Sequence, residues 1–488
     1  MQASNAWGQA LASHVAASGG DGHVAVEVSP LYVLIEQAGL AYAGSVALGH
    51  VNWYLHEHSE TVEPLTITVT PTFGNPDLYV RDAASLMELA LPGGVNAWQN
   101  SQTSPGDDSL TVPLGPQRRA VAIGVFGRLA SNFSMVVSSP STEVMLSSGL
   151  PRRFELAANS TQYFAIDADM RAPLVAWITP IAGSPPSLYL AAGSDVRPSA
   201  ATADAAAVAG PSVAYQRLLL PPGDSSLGRC AASAVGNLCR IHLGTVASAA
   251  GSFSLVVTTA AREHIRLIDG VPQRGKLDGV SWDRPGGGGS GALRPFEAQY
   301  AVRVANAQSN LTLTLAVESG RGAHLVLSTA DGAHSWSSEG QGAGQGVGAE
   351  RLHVSSEELS AACESCDLVD TVASSSPAVY TVTATSSHAL LMLSDGVPTR
   401  QAVSEGAYEH FKFEVLLPSA DVEVVVMSLS TSDVDVYASV DRHRPMREPL
   451  YHHWESAGHA SRGEVLKIRH TDPALAACTL KLPFLTFY

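Results

Sequence analysis

The sequence predicts an all-β protein, built as a tandem array of about four antiparallel β-sandwich (jelly-roll-like) domains. The hexapeptide Leu393–Pro398 is nearly repeated at Leu267–Pro272, and Leu146–Pro151 is a weaker copy. The glycines of these copies lie 121 and then 126 residues apart, and a looser copy ends at Gly39, 110 residues before the first. Self-similarity at a near-constant spacing indicates one structural unit used several times. Short segments of alternating polarity follow each copy, and none has a helical period.

The overall composition limits the possible classes of protein. A chain of 488 residues is too long for one ordinary core, and its 45% hydrophobic and 15% charged residues exclude wholesale disorder. Nucleic acid is excluded as a partner, because the net charge is −16 and phosphate contacts require a clustered basic face. No uninterrupted apolar run reaches the roughly 18 residues of a membrane span, so we expect no membrane insertion.

The repeat spacing predicts the domain boundaries. Residues 1–30 are expected to be the remnant of a preceding unit, because the run 23–29 resembles the strands that precede the later units. The sequence is therefore interpreted as a piece of a longer array. Unit 3 carries a glycine-rich insert at 281–295, and unit 4 is expected to be incomplete. The four predicted units are 31–140, 141–261, 262–387 and 388–488.

Each unit has the same succession of predicted strands. After the glycine turn comes a strand with apolar residues at every second position, as in Phe411 and Phe413, which predicts one buried face. A second strand alternates threonine with branched aliphatic residues, as in 65–69. Seven or eight short strands separated by turns are typical of a two-sheet sandwich. The intervening residues of the first strands are expected to face water: His56, Asp167, Arg303, Lys412 and Glu414.

Three features in this order resemble the pre-peptidase C-terminal (PPC) domain: the Leu-x-Asp-Gly-Val-Pro turn, a Tyr/Phe-x-Phe-x-Val strand, and the segment Gly74–Val80 (GNPDLYV). The resemblance covers residues 31–488. It implies accessory β-sandwich modules without catalytic residues, found beside the catalytic domains of secreted proteases or as repeats in surface proteins. It also implies an extracellular or cell-surface location, and some members of the family bind calcium or a substrate polymer.

The cysteines predict local disulfides. Cys230 and Cys239 lie close together in one unit, and Cys363 and Cys366 in the next, so each pair is expected to staple a loop in an oxidising compartment. A zinc site is the rival hypothesis, but the two pairs belong to different units. Cys478 has no partner in this sequence, which keeps a fully reduced chain as an alternative.

The other candidate sites can be explained either by a function or by an ordinary structural role. Trp98, Trp336 and Trp454 recur at one loop position, where they could contact a ligand or pack on the core. Asp77, Asp433 and Asp435 could bind calcium, although a turn-forming role explains them with fewer assumptions. His56-Glu57-His58 could hold a metal, but a solvated strand edge is favoured. Acceptor sequences for N-glycans begin at Asn132, Asn159 and Asn310.

No catalytic motif accompanies these candidates. The sequence has no nucleophile elbow, zinc-protease motif, phosphate loop or dinucleotide fingerprint. It therefore predicts a non-catalytic extracellular or surface array without a cofactor, acting as a spacer or in adhesion. Its expected partner is another protein, a polysaccharide or the missing domains of the same polypeptide. The alternatives are the accessory C-terminal region of a secreted protease or other hydrolase, and a cytosolic scaffold if all five cysteines are reduced.

Overall fold

The repeated glycines divide the structure into four repeats, numbered 1 to 4 and marked by Gly39, Gly149, Gly270 and Gly396. The structure is a computed structural model. It describes residues 32–57, 63–83, 99–101, 107–113, 120–193, 197–210, 216–228, 230, 238–259, 264–278, 296–304, 309–338, 349–363, 365–386, 390–399, 401–415, 419–429, 433–440, 444–458, 463–475 and 484–487.

Short strands fill the first two repeats. Repeat 1 contains β1 Tyr32–Ile35, β2 Ala41–Val46, β3 Val51–Glu57, β4 Leu65–Phe73, β5 Pro76–Ala83, β6 Gln99–Ser101, β7 Asp108–Val112, β8 Ala120–Gly127 and β9 Ser131–Ser138. Repeat 2 contains β10 Glu143–Met145, β11 Arg152–Leu156, β12 Thr161–Asp169, β13 Leu174–Gly183, β14 Ser187–Ala192, β15 Ala205–Ala207, β16 Gln216–Leu220, a 3-10 turn Ser225–Leu227, β17 Leu238–Val246 and β18 Gly251–Thr258.

The last two repeats follow the same order. Repeat 3 contains β19 Ile265–Arg266, β20 Gln273–Leu277, β21 Glu297–Val304, β22 Leu311–Ser319, β23 His324–Thr329, β24 Ser335–Ser337, β25 Ala349–Val354, the helix α1 Ser356–Ala362, β26 Cys366–Ala373 and β27 Ala378–Ser386. Repeat 4 contains β28 Leu391–Leu393, β29 Phe411–Glu414, β30 Val422–Val426, β31 Val436–Ser439, β32 Trp454–Ser456, β33 Glu464–Ile468 and β34 Phe484–Phe487.

Each repeat builds two sheets. Repeat 1 has one sheet in the order β1-β3-β8-β5-β6 and another in the order β2-β9-β4-β7. Repeat 2 forms β10-β12-β17-β14-β15 and β11-β18-β13-β16, and repeat 3 forms β19-β21-β26-β23-β24 and β20-β27-β22-β25. Repeat 4 forms β28-β29-β34-β31-β32, and in its described part the second sheet consists of β30 and β33.

The prediction of tandem antiparallel β-sandwich (jelly-roll-like) domains is wrong. The structure describes a β-solenoid of about 14 turns, with 56% of its residues in strands and 4% in helices. The nearly all-β composition agrees with the sequence analysis, but the repeats are joined through hydrogen bonds and buried side chains rather than separated as domains. Most neighbouring strands run antiparallel, and the described parallel pairs are β1–β3, β10–β12, β19–β21 and β28–β29.

Apolar side chains of both sheets form a main cluster in each repeat, and repeat 1 has a second, smaller cluster of Leu55, Ala120 and Ala122. In β4, Leu65, Ile67 and Val69 are buried in the cluster of repeat 1, as the alternation of threonine and aliphatic residues predicts. Val136 of β9 belongs instead to the cluster of repeat 2. The apolar core therefore continues across the boundary between these two repeats.

Three polar residues expected to face water are buried. His56, Lys412 and Glu414 are 5%, 3% and 2% exposed, whereas Asp167 is exposed. Period-two alternation identifies the two faces of a strand, but the second face reaches water only where nothing packs on it. Lys412 and Glu414 lie on the second face of β29, which is covered by Arg153 of repeat 2.

The repeated glycine joins consecutive repeats through two backbone hydrogen bonds. The Gly39 N–H donates to the carbonyl of Val137 at 2.7 Å, and the Gly39 carbonyl accepts the N–H of Met145 at 2.8 Å. The same pair recurs at Gly149 with Val257 and Arg266, and at Gly270 with Ala384 and Met392, at 2.7–3.0 Å. The motif is thus repeated because it connects the last strand of its own repeat to the first strand of the next.

Only glycine suits this position. Gly39, Gly149 and Gly270 have φ angles of 86°, 71° and 74°, in the left-handed region that other residues avoid. A Cβ atom on Gly39 would also lie 2.3 Å from the carbonyl oxygen of Glu143 in repeat 2. At Gly39, conformation and space therefore both disfavour a side chain.

We expect Gly39→Ala to destabilise the protein more than Gly49→Ala. Gly49 has a similar φ of 76°, but a Cβ atom there would meet nothing within 4 Å. The control should lower the free energy of unfolding by about 1 kcal/mol, and Gly39→Ala by about 2–4 kcal/mol, because it adds a steric clash to the strained backbone. Urea unfolding measures both values, and equal losses would contradict the proposed role of the junction.

Candidate functional site

Two arginines occupy the interfaces between repeats. Arg153 and Arg274 each lie four residues after the repeated glycine, in β11 and β20, and both are buried. The Arg153 N–H donates to Oδ2 of Asp107 in repeat 1 at 2.8 Å. The Arg274 N–H donates to Oγ1 of Thr179 in repeat 2 at 3.1 Å. Each arginine therefore anchors the backbone of its own strand to a side chain of the preceding repeat.

The guanidinium groups pair with glutamates inside these interfaces. Arg153 forms ion pairs with Glu414 of repeat 4 and, at 2.9 Å, with Glu155 beside it. Glu414 also accepts a hydrogen bond from the hydroxyl of Ser252 in repeat 2. In repeat 3, Arg274 pairs with Glu318. A carboxylate of repeat 4 is thereby held by a strand that is 261 residues earlier in the chain.

Burial changes the protonation behaviour of the surrounding groups. Burial, reinforced by the charge of Arg153, lowers the pKa of Lys412 to about 7. Burial raises the pKa of Glu414, although the positive charge of Arg153 acts in the opposite direction. Burial also raises the pKa of Asp107 to about 6, against the hydrogen bond from the Arg153 N–H. These shifts follow from removing charged groups from water at the contact of repeats 1, 2 and 4.

A second set of contacts joins repeats 2 and 3. The Arg217 guanidinium lies 4.9 Å above the ring of Trp177 and pairs with Asp278 of repeat 3. The Gln273 side chain donates to Oγ1 of Thr179 at 3.2 Å. Polar and aromatic side chains thus fix the orientation of neighbouring repeats at several points.

An open cleft of about 500 Å³ lies where repeats 2, 3 and 4 meet. Its lining includes Pro180 and Ser184 of repeat 2, Arg274 of repeat 3, and Ser394 and Asp395 of the repeat 4 glycine motif. The lining is a mixture of small, hydroxyl and charged groups. These groups can donate and accept hydrogen bonds and offer charges of both signs.

Repeat 3 contains one unusual core residue. Asp370 pairs with Tyr300 and Leu327 in the sheet, at the position that Ile123 and Leu243 hold in repeats 1 and 2. Its side chain is fully buried, and neither carboxylate oxygen has a hydrogen-bond partner among the residues that the structure describes. Burial raises the pKa of Asp370 to about 8. The carboxyl group is therefore protonated at neutral pH.

The four cysteines that were predicted to form disulfides lie in two bonded pairs. Cys230 and Cys239 form one disulfide with their Cα atoms 5.5 Å apart, and Cys363 and Cys366 form another with a Cα separation of 6.0 Å. Cys230 belongs to the core of repeat 2, and Cys363 caps the end of α1. Cys478 lies outside the described residues. Two disulfides are compatible with an extracellular location.

The two described tryptophans of the recurring loop are half-buried. Trp336 lies in β24 and packs on the core of repeat 3, and Trp454 lies in β32 and packs on the core of repeat 4. The Trp454 indole N–H donates to Asp472 at 3.0 Å. Trp98 lies outside the described residues. Packing therefore accounts for the contacts that these two side chains make.

The calcium candidates are not brought together. Asp77 is buried in repeat 1 and pairs with Arg128 at 3.3 Å, while burial raises its pKa to about 6, opposed by Arg128. Asp433 and Asp435 lie in repeat 4, and Asp435 accepts the hydroxyl of Tyr437 at 3.3 Å. Within the described ranges, no three His, Cys, Asp or Glu residues form a group that could hold a metal ion. His58, one of the other metal candidates, is outside those ranges.

The three glycan acceptor candidates differ in accessibility. Asn132 in β9 and Asn159 in a turn are exposed. Asn310 is half-buried, and its side-chain oxygen accepts the N–H of Ser356 at 2.8 Å, at the start of α1. Asn132 and Asn159 are therefore the accessible candidates.

The sequence analysis missed the interface arginines, although a signal for them was present. Arginine follows the repeated glycine by four residues in three copies, at Arg153, Arg274 and Arg400. The repeated hexapeptide ends at its proline, and the arginine lies two residues beyond that proline. Arg400 itself lies outside the described residues.

Of the described residues, none form a helix with the length and apolar character needed to cross a membrane.

Comparisons with known proteins do not identify a family. No protein-family model and no curated protein matches the chain. The glycoside hydrolase domain of Endo-D from Streptococcus pneumoniae R6 is 12% identical over 45% of this chain, with a TM-score of 0.17, and the chain spans only about a third (33%) of that structure. Arabinofuranosyltransferase AftD from Mycobacteria is 7% identical, with 90% of this chain and 41% of that one covered and a TM-score of 0.14. These scores support no conclusion about fold or activity, and the resemblance to the PPC domain stays a prediction.

We expect Glu414→Ala to lower the free energy of unfolding by about 3–5 kcal/mol, because it leaves the buried Arg153 without its charge partner from repeat 4. Replacing both residues by methionine should restore the parental stability, since no buried charge then remains from this pair. The control is Asp169→Ala, which breaks the exposed pair with Arg171 and should change little. Chemical unfolding measures all three, and a mild effect of Glu414→Ala would contradict this role.

We also expect Asp370→Asn to remove part of the pH dependence of stability. Between its ordinary pKa of 3.8 and its folded value of about 8, Asp370 is protonated in the folded chain and ionised in the unfolded chain. Rising pH therefore favours unfolding, by up to about 1.4 kcal/mol per pH unit. In urea unfolding at pH 5 to 8, the variant should gain stability relative to the parent as pH rises. The exposed Asp367→Asn on the same strand should not, and identical pH profiles for all three proteins would disprove the assignment.

Proposed function

We propose that this chain is a non-catalytic structural array that holds binding surfaces at fixed positions, outside the cell or at its surface. The observation that carries the proposal is the use of buried charges at the interfaces between repeats. Arg153, Arg274 and Glu414 connect one repeat to another. Such contacts fix the orientation of the repeats, which is the property a spacer or a display scaffold requires.

The positions of the groups with shifted pKa values support a structural role. In enzymes, strongly shifted pKa values concentrate in clefts that substrates reach. Here Asp370 has the pKa of a general acid, but it is fully buried in the core of repeat 3. Lys412 is likewise buried between repeats. Among the described residues, these shifts follow from packing, and we assign them to stability rather than to chemistry.

The expected partner is a protein or a polysaccharide at a surface. The cleft between repeats 2, 3 and 4 offers hydroxyl groups and both signs of charge, including Arg274 and Asp395. Hydroxyl groups and charges of this kind recognise sugars or peptide backbones by hydrogen bonds. The two disulfides support the extracellular assignment, because such bonds persist in oxidising compartments.

The function is tested by assaying cleavage and retention in the same samples. The chain is incubated with neutral and acidic polysaccharides and with unfolded casein, and new reducing ends, released peptides and bound protein are measured. We expect saturable retention on at least one polymer and no cleavage.

Asp370→Asn and Asp395→Asn are the informative variants. Asp395→Asn should weaken retention, because it alters the cleft, while Asp370→Asn should leave retention unchanged. Cleavage by the parent that either substitution abolishes would overturn the non-catalytic assignment, and an absence of retention on every polymer would overturn the display role.

A further inference from the structure

The outer face of the first sheet in repeat 2 carries two tyrosines on either side of a glycine. Tyr163 of β12 and Tyr189 of β14 each pair with Gly244 of β17, so the three residues form one row across the sheet. The adjacent residues of these strands belong to the core of repeat 2: Phe164, Leu190 and Leu243. Because successive residues of a strand face opposite sides, the tyrosines and Gly244 lie on the side away from the core.

A segment of the same chain occupies this row. Residues 197–204, which we call the strap, lie between β14 and β15 in the chain. The guanidinium of Arg197 lies 4.8 Å from the centre of the Tyr163 ring. Pro198 is buried, and a Cβ atom on Gly244 would lie 2.7 Å from the Pro198 carbonyl oxygen. The absence of a side chain at Gly244 therefore leaves the space that the proline fills.

Both ends of the strap are bonded to the rest of the protein. At one end, the Arg197 side chain donates to the carbonyl of Ser141 at 2.8 Å. At the other end, the Asp204 N–H donates to the carbonyl of Leu190 at 2.7 Å. The middle of the strap consists of alanine, serine and threonine, and residues 200–202 are exposed. Segments that bury little apolar surface open at a low free-energy cost, so the strap can leave the sheet while the core stays folded.

Repeat 4 has the same combination of an aromatic face and an arginine–proline step. His410 and Tyr437 hold the sheet positions of the two tyrosines of repeat 2, as the strand pairings show. The connection between β31 and β32 contains Arg444 followed by Pro445. Pro445 is buried, and its backbone is hydrogen-bonded to His410. Two repeats thus place an arginine–proline step on equivalent aromatic residues.

The other repeats differ in both parts of this arrangement. In repeat 3, the connection 330–334 between β23 and β24 contains neither arginine nor proline. The corresponding residues of its sheet are Gln299, Thr371 and Val326. In repeat 1, the Trp53 ring fills the space above Gly124, 2.9 Å from a Cβ atom placed there. Among repeats 2 to 4, the arginine–proline step is therefore found where the face is aromatic.

These contacts match a known way of recognising extended peptides. A proline favours the extended polyproline II conformation, and such segments dock between aromatic side chains. An arginine placed over an aromatic ring adds about 0.5–2 kcal/mol of attraction. In repeat 2 the strap supplies both groups, and the sheet supplies the rings and the glycine. The net charge of −16 also favours a cationic partner.

We propose that the face formed by Tyr163, Gly244 and Tyr189 binds an extended segment of another protein that carries an arginine–proline step, and that the strap is a self-ligand competing with this partner. The strap has the advantage of being tethered beside the site, which gives it a high effective concentration. A partner binds when the strap opens, so its apparent affinity is reduced by the fraction of chains in which the site is open.

The inference rests on the proposed function, because it names one of the binding surfaces that the array holds in place. The readouts are separate. Binding of a defined peptide tests the face of repeat 2, whereas retention and cleavage of polymers test the function.

Peptide binding to an opened variant of the full chain tests the proposal. The variant carries Arg197→Gly and Pro198→Gly, and the probe is a fluorescein-labelled peptide with the sequence of residues 196–203 (VRPSAATA), followed by fluorescence anisotropy. We expect one peptide to bind each chain, at least about tenfold more tightly than to the parent, because the competing strap is removed. An opened variant that unfolds cooperatively in urea like the parent but does not bind the peptide would overturn the proposal.

Two altered peptides test the chemistry of recognition. Alanine in place of the arginine removes the cation over the ring, and alanine in place of the proline removes the group seated over the glycine. Each should weaken binding to the opened variant at least about tenfold. Equal binding of all three peptides would show that the arginine–proline step is not what the face recognises.

A matched pair of substitutions locates the site. In the opened variant, Tyr163→Ala removes the ring beneath the guanidinium and should weaken peptide binding at least about tenfold. Gln299→Ala changes the equivalent sheet position of repeat 3 and should leave binding unchanged. Similar affinities for the two variants would refute the assignment to repeat 2.

Hydrogen exchange in the unmodified chain gives a test that does not depend on the opened variant. The Asp204 amide is bonded to β14 while the strap is in place. At about 1 mM unlabelled peptide, enough to occupy even a weak site, exchange in residues 197–204 should become faster, whereas a scrambled peptide should have no effect. Unchanged exchange with both peptides would show that the strap does not compete with such a ligand.

Discussion

The structure depends on a pair of backbone hydrogen bonds made at one left-handed glycine in each of repeats 1 to 3. The N–H of this glycine binds the closing strand of its own repeat, and its carbonyl binds the opening strand of the next. Hydrogen bonds of this kind are individually modest, at about 1 kcal/mol net, but breaking one inside a packed boundary leaves an unsatisfied group. The contact also sets the register of the following repeat, because it fixes where the next first strand starts. The remaining contacts between repeats then form around it.

Buried charged side chains also fix how neighbouring repeats are oriented relative to one another. Removing an arginine and a glutamate from water costs more than an ordinary packing contact, and such a pair stabilises a fold only when it is well hydrogen-bonded. Around Arg153 the side chains of Glu414 and Glu155 and the hydroxyl of Ser252 provide that environment. An apolar contact would tolerate sliding of one repeat over another, whereas this arrangement specifies one geometry. A fixed geometry is consistent with the proposed role as a spacer.

Local features of the chain were predictable from the sequence, whereas contacts between distant segments were not. Alternating residues in β4 and β22 predicted strands, and the short spacing of Cys363 and Cys366 predicted their proximity. The same alternation placed Lys412 and Glu414 in water, because it cannot show that a repeat 261 residues away covers them. The sandwich prediction failed for the same reason, since strand patterns do not reveal how hydrogen bonds continue from one repeat to another. The burial of Asp370 was not predicted, because a single acidic residue in a strand is expected to face solvent unless its neighbours in the fold are known.

The pairing of Arg153 with Glu414 has a consequence for biosynthesis. The carboxylate is made 261 residues after its cation, which is roughly 15–50 s at translation rates of 5–20 residues per second. During that interval repeat 2 contains an arginine whose distant partner does not yet exist. Until then Arg153 can contact Asp107 and Glu155, which are already synthesised. The contact between repeats 2 and 4 can therefore be completed only when the last repeat has left the ribosome.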